Sequence, residues 1–192
     1  LRPSLNVADT VTDELQVQGI KIDQEITEAK RGLEYAKSAL ERAKENRAPL
    51  DDSVLRLMKE LRDQGLNPIP VCDVVKVTDT AWQPVIEAFL SRNVQALLVS
   101  GDQEKIAFKI YRGLSGKNAI YGAKIAMESR QQLGKPVEPG SVAELIEGNN
   151  PAAVAYLRRH FGNILRATTD SEALAGHRTL TIDGMLVSGG DF

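Results

Sequence analysis

The sequence predicts an α/β (α+β) protein in which two subdomains of short mixed sheets and helices follow one long coiled-coil helix. Apolar side chains recur at heptad spacing in the first third of the 192 residues, whereas the remainder alternates short β-branched runs with amphipathic helices. With 42% hydrophobic and 26% charged residues, the composition is that of a globular chain that can bury a sizeable core.

The long helix is predicted from about residue 9 to residue 46, a stretch without proline. Its apolar residues alternate at gaps of three and four and form one narrow seam, which needs a partner helix. We favour a coiled-coil arm over one helix of an ordinary bundle, because the heptads are regular. A short helix from 51 or 52 to 64 follows Pro49, and we assign residues 1–64 to the arm and this connecting helix. The seam consists of Leu15, Ile22, Ala29, Ala36 and Ala43 with Ile26, Leu33 and Leu40.

Two subdomains are predicted after the arm, at 65–135 and 136–192, with the proline- and glycine-containing segment 134–140 between them. Strand-helix alternation indicates a βαβ unit with a parallel strand pair. Asp183-Gly184 between the last two strands predicts a hairpin. The predicted strands are 71–77, 96–99, 118–121, 164–167, 179–182 and 185–187, and the predicted helices are 81–91, 103–112, 142–146, 152–161 and 170–174.

The composition excludes several classes of protein. Cys72 is the one cysteine, so an intramolecular disulfide and a cysteine zinc cluster are excluded and a reducing, cytoplasmic location is expected. The sequence has no apolar run of membrane-spanning length. It begins with Leu1 and shows no leader, and we interpret it as a piece of a longer protein.

Catalytic motifs are few. Lys117 follows a glycine, but the first glycine and the hydroxyl residue of a phosphate-binding loop are missing, so we interpret 113–118 as a turn. His160 and His177 lack the spacing of metal ligands. We therefore expect no enzyme activity, no metal ion and no cofactor in these residues.

Charge and glycine are unevenly distributed. The net charge is −2, but residues 101–135 hold seven Lys and Arg against three Asp and Glu. These cations could neutralise phosphates, or they could be a solvated surface balanced by the acidic arm; charge alone leaves both interpretations open. Gly184, Gly189 and Gly190 lie beside short apolar strands, which suggests an edge strand available to another chain or a plain hairpin turn.

Segments 73–77, 82–90 and 96–99 resemble, in this order, the strand, helix and apolar strand that open the hinge domain of SMC (structural maintenance of chromosomes) proteins. The likeness continues at 116–120, 156–165, 170–175 and 181–190, with Lys117 and Phe161 departing from the family pattern. The segment Trp-Gln-Pro-Val-Ile-Glu at 82–87 is most similar to the condensin-like JetC subunits of Wadjet plasmid-defence systems, relatives of MukB and MksB.

The resemblance implies a homodimer in which strands pair at two interfaces and join two coiled-coil arms. It also implies weak, sequence-independent binding to DNA, a location on the nucleoid, ATP hydrolysis by head domains outside these residues, and a returning arm, absent here, against residues 22–43. The implied dimer-interface residues are Gly184, Gly189, Gly190, Ile120 and Gly122. The implied DNA-binding residues are Lys117, Lys124, Arg130, Arg158 and Arg159.

An alternative function is an α/β domain that binds a small molecule, or regulates, on a helical stalk. Such a domain should show a concave pocket with convergent polar groups.

Overall fold

The structure, a computed structural model, describes residues 3–176 and 178–188. The chain divides into two compact units, Leu1–Pro49 and Leu50–Phe192. The predicted fold class is confirmed: a long N-terminal helix precedes short helices and three small sheets. Across the described part of the chain, no helix has the length and hydropathy needed to cross a bilayer.

The first unit consists of helix α1, Pro3–Lys44. Its predicted seam is exposed: Leu15, Ile26 and Leu33 keep 62%, 45% and 55% of their surface. The helix ends where Asn46 adopts a φ of 54° and the side chain of Arg42 donates to the carbonyl of Ala48 at 2.6 Å. The apolar seam is therefore available to a partner helix along its length.

The second unit contains five α-helices and eight strands among its described residues. The helices are α2 Asp52–Asp63, α3 Gln83–Leu90, α4 Glu104–Gly113, α5 Pro151–Phe161 and α6 Asp170–Ala175. The strands are β1 Ile69–Pro70, β2 Val75–Val77, β3 Leu97–Val99, β4 Ile125–Met127, β5 Ile146–Gly148, β6 Leu165–Ala167, β7 Arg178–Thr181 and β8 Leu186–Ser188.

Three sheets result from these strands. The first has the order β1-β3-β4, in which β1 runs antiparallel and β4 parallel to β3. The second is the antiparallel pair β2-β5. The third has the order β6-β7-β8, parallel and then antiparallel, and β7-β8 is the predicted hairpin, with Gly184 at a φ of 95° in its turn.

Sequence patterns located most helices correctly, but they made one strand too long, misplaced another and missed β1 and β5. A 3₁₀ turn occupies Val71–Asp73, so only β2 remains of the predicted strand 71–77. The predicted strand 118–121 is wrong: a 3₁₀ turn covers Gly116–Asn118, and the strand lies at β4. The parallel pair of the βαβ unit is therefore β3-β4, joined through α4. The predicted helix 142–146 is a 3₁₀ turn at Val142–Leu145.

Three clusters of buried apolar residues lie in the described part of the second unit, and two of them are large. The larger one joins both predicted subdomains, since α3 contributes Ile86, α5 contributes Phe161 and β7 contributes Leu180. The Phe161 ring stacks on Phe89 with centroids 4.9 Å apart. Burying each such large side chain stabilises the fold by about 1.5–3 kcal/mol. The subdomain boundary near 135 stays a prediction.

The smaller of the two large clusters explains why α2 belongs to the second unit, although the sequence grouped it with the arm. Leu57 and Leu61 of α2 are fully buried against Leu97 and Val99 of β3 and Ala107 of α4. Apolar residues on one face of α2 therefore attach the helix to the first sheet.

Gly148 of β5 marks the tightest packing in this unit. A Cβ at this position would collide with the carbonyl oxygen of Val74 and would lie 3.1 Å from a methyl group of Val154 on α5. Only a residue without a side chain allows β2 and α5 to approach β5 this closely.

We predict that Gly148→Ala lowers the free energy of unfolding by about 1–3 kcal/mol, because the backbone of β2 must shift to admit the methyl group. The control is Gly113→Ala at the end of α4, where no heavy atom lies within 4 Å and alanine favours the helix. Urea denaturation followed by circular dichroism measures both variants. Equal stability of the two variants would contradict the prediction.

Candidate functional site: open strand edges and a cationic cleft

Strand β4 leaves one edge of the first sheet open. The Leu97 amide donates to the Lys124 carbonyl at 2.9 Å, and Leu97 is the register partner of Ile125. In a parallel ladder the backbone groups of alternate residues point to the same side, so those of Ile125 and Met127 point away from β3. The Met127 carbonyl accepts from Gln131 at 2.7 Å. Among the described residues, no strand pairs with the other outward-pointing backbone groups of this edge.

Strand β8 forms the open edge of the third sheet. The Thr181 amide donates to the Met185 carbonyl at 2.9 Å, and Leu186 is the register partner of Leu180. Because hydrogen-bonded and non-hydrogen-bonded pairs alternate in an antiparallel ladder, the backbone groups of Leu186 and Ser188 point away from β7.

The opposite edge of that sheet, β6, is covered by the chain itself. Ser141 forms a bridge with Leu165, and the Arg166 amide donates to the Gly140 carbonyl at 3.0 Å. Within the described residues, β8 therefore remains the side on which this sheet can be extended.

Large exposed apolar side chains lie close in sequence to both open edges. Tyr121, four residues before β4, is 84% exposed, and Ile182 and Met185 in the turn before β8 are 45% and 47% exposed. Exposed apolar groups beside unpaired strand edges are typical of association surfaces. Tyr121 is not among the interface residues predicted from the sequence, because residue type alone does not distinguish an exposed aromatic side chain from a buried one.

The predicted interface residues occupy different environments. Gly122 has a φ of 90°, and a Cβ there would lie 2.8 Å from a guanidinium nitrogen of Arg92. Ile120 has a side chain that is only 6% exposed and lies in the core cluster with α2. Gly184 lies in the turn before β8. Gly189 and Gly190 fall outside the described residues, so their predicted role remains a prediction.

A cleft of about 980 Å³ opens in the second unit between the β2-β5 ribbon, α5 and the segment 130–137. Basic side chains dominate its charge: five cations and two carboxylates line it, and one of the cations, Lys76, lies 4.0 Å from the carboxylate of Glu147. The cations are Lys76, Arg130, Lys135, Arg158 and Arg159, and the carboxylates are Asp73 and Glu147.

Three of the five predicted DNA-binding residues therefore lie together, although they are far apart in sequence: Arg130, Arg158 and Arg159. Lys124 is not part of the lining, and its ammonium group donates to Asn93 at 2.7 Å. Lys117 has its backbone in the turn Gly116–Asn118, and its side chain falls outside the described part of the structure.

The two arginines on α5 are held differently. Arg158 donates through Nε and one terminal nitrogen to the Ile146 carbonyl, at 3.1 and 2.8 Å, which fixes its guanidinium against β5. Arg159 is exposed, and its guanidinium lies 4.8 Å from the centre of the Tyr156 ring. Burial raises the pKa of the Tyr156 hydroxyl, and Arg159 opposes this shift.

His160 lies at the end of α5 among cations. Its ring meets Tyr156 edge-on at 5.1 Å, and Nε2 is buried without a hydrogen-bond partner in the described residues. Burial lowers the pKa of His160, and the positive charges of Arg159 and Lys124 lower it further. In the described ranges, no three His, Cys, Asp or Glu residues come together to hold a metal ion.

Solved structures with the same fold are SMC hinge domains. An asymmetric dimer of the Geobacillus stearothermophilus hinge has a TM-score of 0.57 and 16% identity, covering 97% of this chain and 77% of that chain. The Pyrococcus furiosus hinge with an extended coiled coil has a TM-score of 0.52 and 18% identity, covering 100% and 73%. A second Pyrococcus furiosus hinge structure has a TM-score of 0.52 and 17% identity, covering 73% and 85%.

At sequence level, neither the family models nor the curated proteins contain a match. The similarity to the solved structures shows that this chain has the SMC hinge fold.

We predict that protonation of His160 destabilises the fold as the pH falls. The pKa of His160 in the folded chain lies below the unfolded value of about 6.5. The stability that depends on a neutral His160 is therefore complete above about pH 6.5 and is lost as the pH falls from there through the folded pKa. We compare the single variant His177→Gln with the double variant His160→Gln and His177→Gln. Between about pH 7.5 and about pH 5.5, the urea midpoint should change more for the single variant, because only that variant keeps an imidazole at position 160.

The same acidic groups are present in both variants, so their effect on the urea midpoints cancels in the comparison. One of them is Glu172, whose pKa is lowered by hydrogen bonds, first from the Thr168 amide and then from the Thr168 hydroxyl. Equal changes of the two midpoints with pH would show that His160 is not the responsible group.

Proposed function

We propose that this chain is the dimerisation hinge of an SMC-type, condensin-like ATPase that acts on DNA, and that it joins two coiled-coil arms. The observation that carries the proposal is the pair of open strand edges, β4 and β8, each with exposed apolar side chains nearby in the chain. The SMC hinge fold supports it, since one of the similar structures is itself a dimer of hinge domains. In this proposal the chain has no catalytic activity, and ATP is hydrolysed by head domains elsewhere.

Association would proceed by strand addition. The open edge of β4 pairs with the open edge of β8 in a second copy, and the two-fold axis repeats this contact, so each copy contributes both edges. Backbone hydrogen bonds set the register, and burial of Tyr121, Ile182 and Met185 supplies apolar free energy at about 25 cal/mol per Å². Gly184, Gly189, Gly190 and Gly122 would allow close backbone approach beside these edges, and the backbone at Ile120 would lie next to them.

The arm fits the same proposal. Helix α1 exposes an apolar seam over several heptads, and such a seam is stable in water only against another helix. A hinge that joins two arms would place such seams at defined positions in the dimer.

DNA contact would be electrostatic and independent of base sequence. The concentration of Arg130, Arg158 and Arg159 around one cleft supports it, and Lys117 and Lys124 would extend the basic surface. The proposal includes a role in plasmid defence or chromosome organisation and a location on the nucleoid in the cytoplasm. The resemblance of the segment 82–87 to JetC subunits supports membership of that subfamily.

The alternative function, a ligand-binding α/β domain, is favoured by one observation. The cleft between α5 and the β2-β5 ribbon is the concave pocket with convergent polar groups that such a domain requires.

We predict that Ser188→Pro weakens dimerisation roughly tenfold or more, because proline removes an outward-pointing amide from the open edge of β8 while the ladder to β7 keeps its hydrogen bonds. Ser188→Ala, which keeps the amide, is the matched control. Sedimentation equilibrium at micromolar concentration measures the dissociation constant, and Gly190→Glu provides a second interface variant.

Dimerisation through the arm is distinguished by a further variant. Ile26→Lys with Leu33→Lys disrupts the exposed seam of α1 and should leave the hinge dimer intact. A monomeric wild-type protein, or a dimer that depends on the seam and not on Ser188, would refute the proposed interface.

We predict that Arg130→Gln with Arg159→Gln lowers the affinity for a fluorescein-labelled DNA duplex and reduces the slope of log K against log salt by about two, since two phosphate contacts are lost. The control is Lys59→Gln on α2, an exposed cation outside the cleft. Fluorescence anisotropy at several salt concentrations measures the slope. An unchanged slope would show that the cleft does not contact the DNA backbone.

A further inference from the structure

The cleft has a feature that contact with a DNA backbone does not require: an apolar floor. Val74, Val75, Val137 and Val154 line it, and each is half-buried and packs on the larger core cluster. Phosphate oxygens need cations and amides and gain nothing from exposed valines. The floor therefore indicates a ligand with an apolar or aromatic body as well as negative charge.

We propose that the cleft is a binding site for a nucleoside phosphate. The apolar floor would take the base and sugar, and the cations at the rim would take the phosphate oxygens. A nucleotide site goes beyond the dimerisation hinge. It would use Arg130, Arg158 and Arg159, which the proposed DNA contact also uses.

Four of the five cations lie on two walls of the cleft, and the fifth, Lys76, lies on β2. Arg158 and Arg159 project from α5, whereas Arg130 and Lys135 belong to the segment 130–137. Arg158 is held in position by its two hydrogen bonds to Ile146, and its second terminal nitrogen has no hydrogen-bond partner among the described residues. A guanidinium that is already positioned loses little conformational entropy when it binds an oxyanion.

The size and the remaining polar groups fit the same ligand. The volume of about 980 Å³ lies at the upper end of the range of about 300–1,000 Å³ for small-molecule sites. Asn149 and Gln132 offer amides that can read a base edge. An inorganic phosphate would leave the floor and these groups without contacts.

The phosphate can come from a free nucleotide or from a nucleotide of a DNA strand, and two probes distinguish the sources. One is ATP with a fluorescent N-methylanthraniloyl group on its ribose (mant-ATP), and the other is a fluorescein-labelled thymidine oligonucleotide of about six residues. Unlabelled ATP, adenosine and inorganic tripolyphosphate serve as competitors.

Two changes test the two halves of the site on the whole chain. Arg130→Gln with Lys135→Gln removes rim charge, and Ala155→Leu fills the cleft from α5 without a change of charge. We expect each to lower the affinity of at least one probe roughly tenfold or more. Lys109→Gln on α4, an exposed cation outside the cleft, should leave both affinities unchanged.

Binding of mant-ATP that responds to both changes identifies a free nucleotide as the ligand. If only the oligonucleotide responds, and it responds to Ala155→Leu as well as to the loss of charge, the ligand is a nucleotide within a strand. An oligonucleotide that responds to the loss of charge alone contacts the cations through its backbone and overturns the proposal. Adenosine should compete only weakly with mant-ATP. Tripolyphosphate should compete less well than unlabelled ATP. Binding of neither probe, equal effects of Lys109→Gln and the cleft variants, or equal competition by tripolyphosphate and ATP would overturn the proposal. Sedimentation of the same variants reports dimerisation separately, so failure of the hinge proposal and failure of this one are distinguishable.

Discussion

The close packing of Gly148 against the backbone of β2 and against Val154 is the contact on which the second unit depends. It pairs residues 75–77 with residues 146–148, strands far apart in the sequence, and so closes a long loop at an entropic cost. The large core cluster offsets this cost, because it contains side chains from both ends of that loop, such as Ile86 and Phe161. The two predicted subdomains are thus joined by one shared core.

The strands of the second unit provide two kinds of surface: a wall of the cleft and open sheet edges. The β2-β5 ribbon is used as one wall of the cleft, whereas the two three-stranded sheets each keep one open edge, at β4 and at β8. The covered edge β6 and the two-residue strand β1, which ends at Pro70, offer little to another chain. The strands β4 and β8 contribute no residue to the cleft, so association and ligand binding can vary independently.

Local patterns predicted the elements with strong periodicity or punctuation: α1, α5 after Pro151, and the hairpin at Gly184. The misplaced and missed strands are short, and tertiary pairing decides between neighbouring candidates of similar composition, as at β4, where Ala126 is a weak strand former that pairs with Leu98. The resemblance of several segments indicated the SMC hinge fold before any geometry was known. The cleft could not be predicted, because its cations at 130 and at 158–159 meet only after β5 docks on β2.

The net charge of −2 conceals this arrangement, since acidic residues in the arm offset the cations around the cleft. The two surfaces therefore differ in their response to salt. The proposed pairing of β4 with β8 would rely on backbone hydrogen bonds and apolar burial, which screening at a Debye length of about 10 Å scarcely affects. Phosphate binding at the proposed site would rely on attraction to the exposed cations, which salt screens, and for a DNA strand on counterion release as well. Raising the salt concentration should therefore weaken the proposed phosphate binding more than the proposed association of strands, so that the two properties can be measured separately.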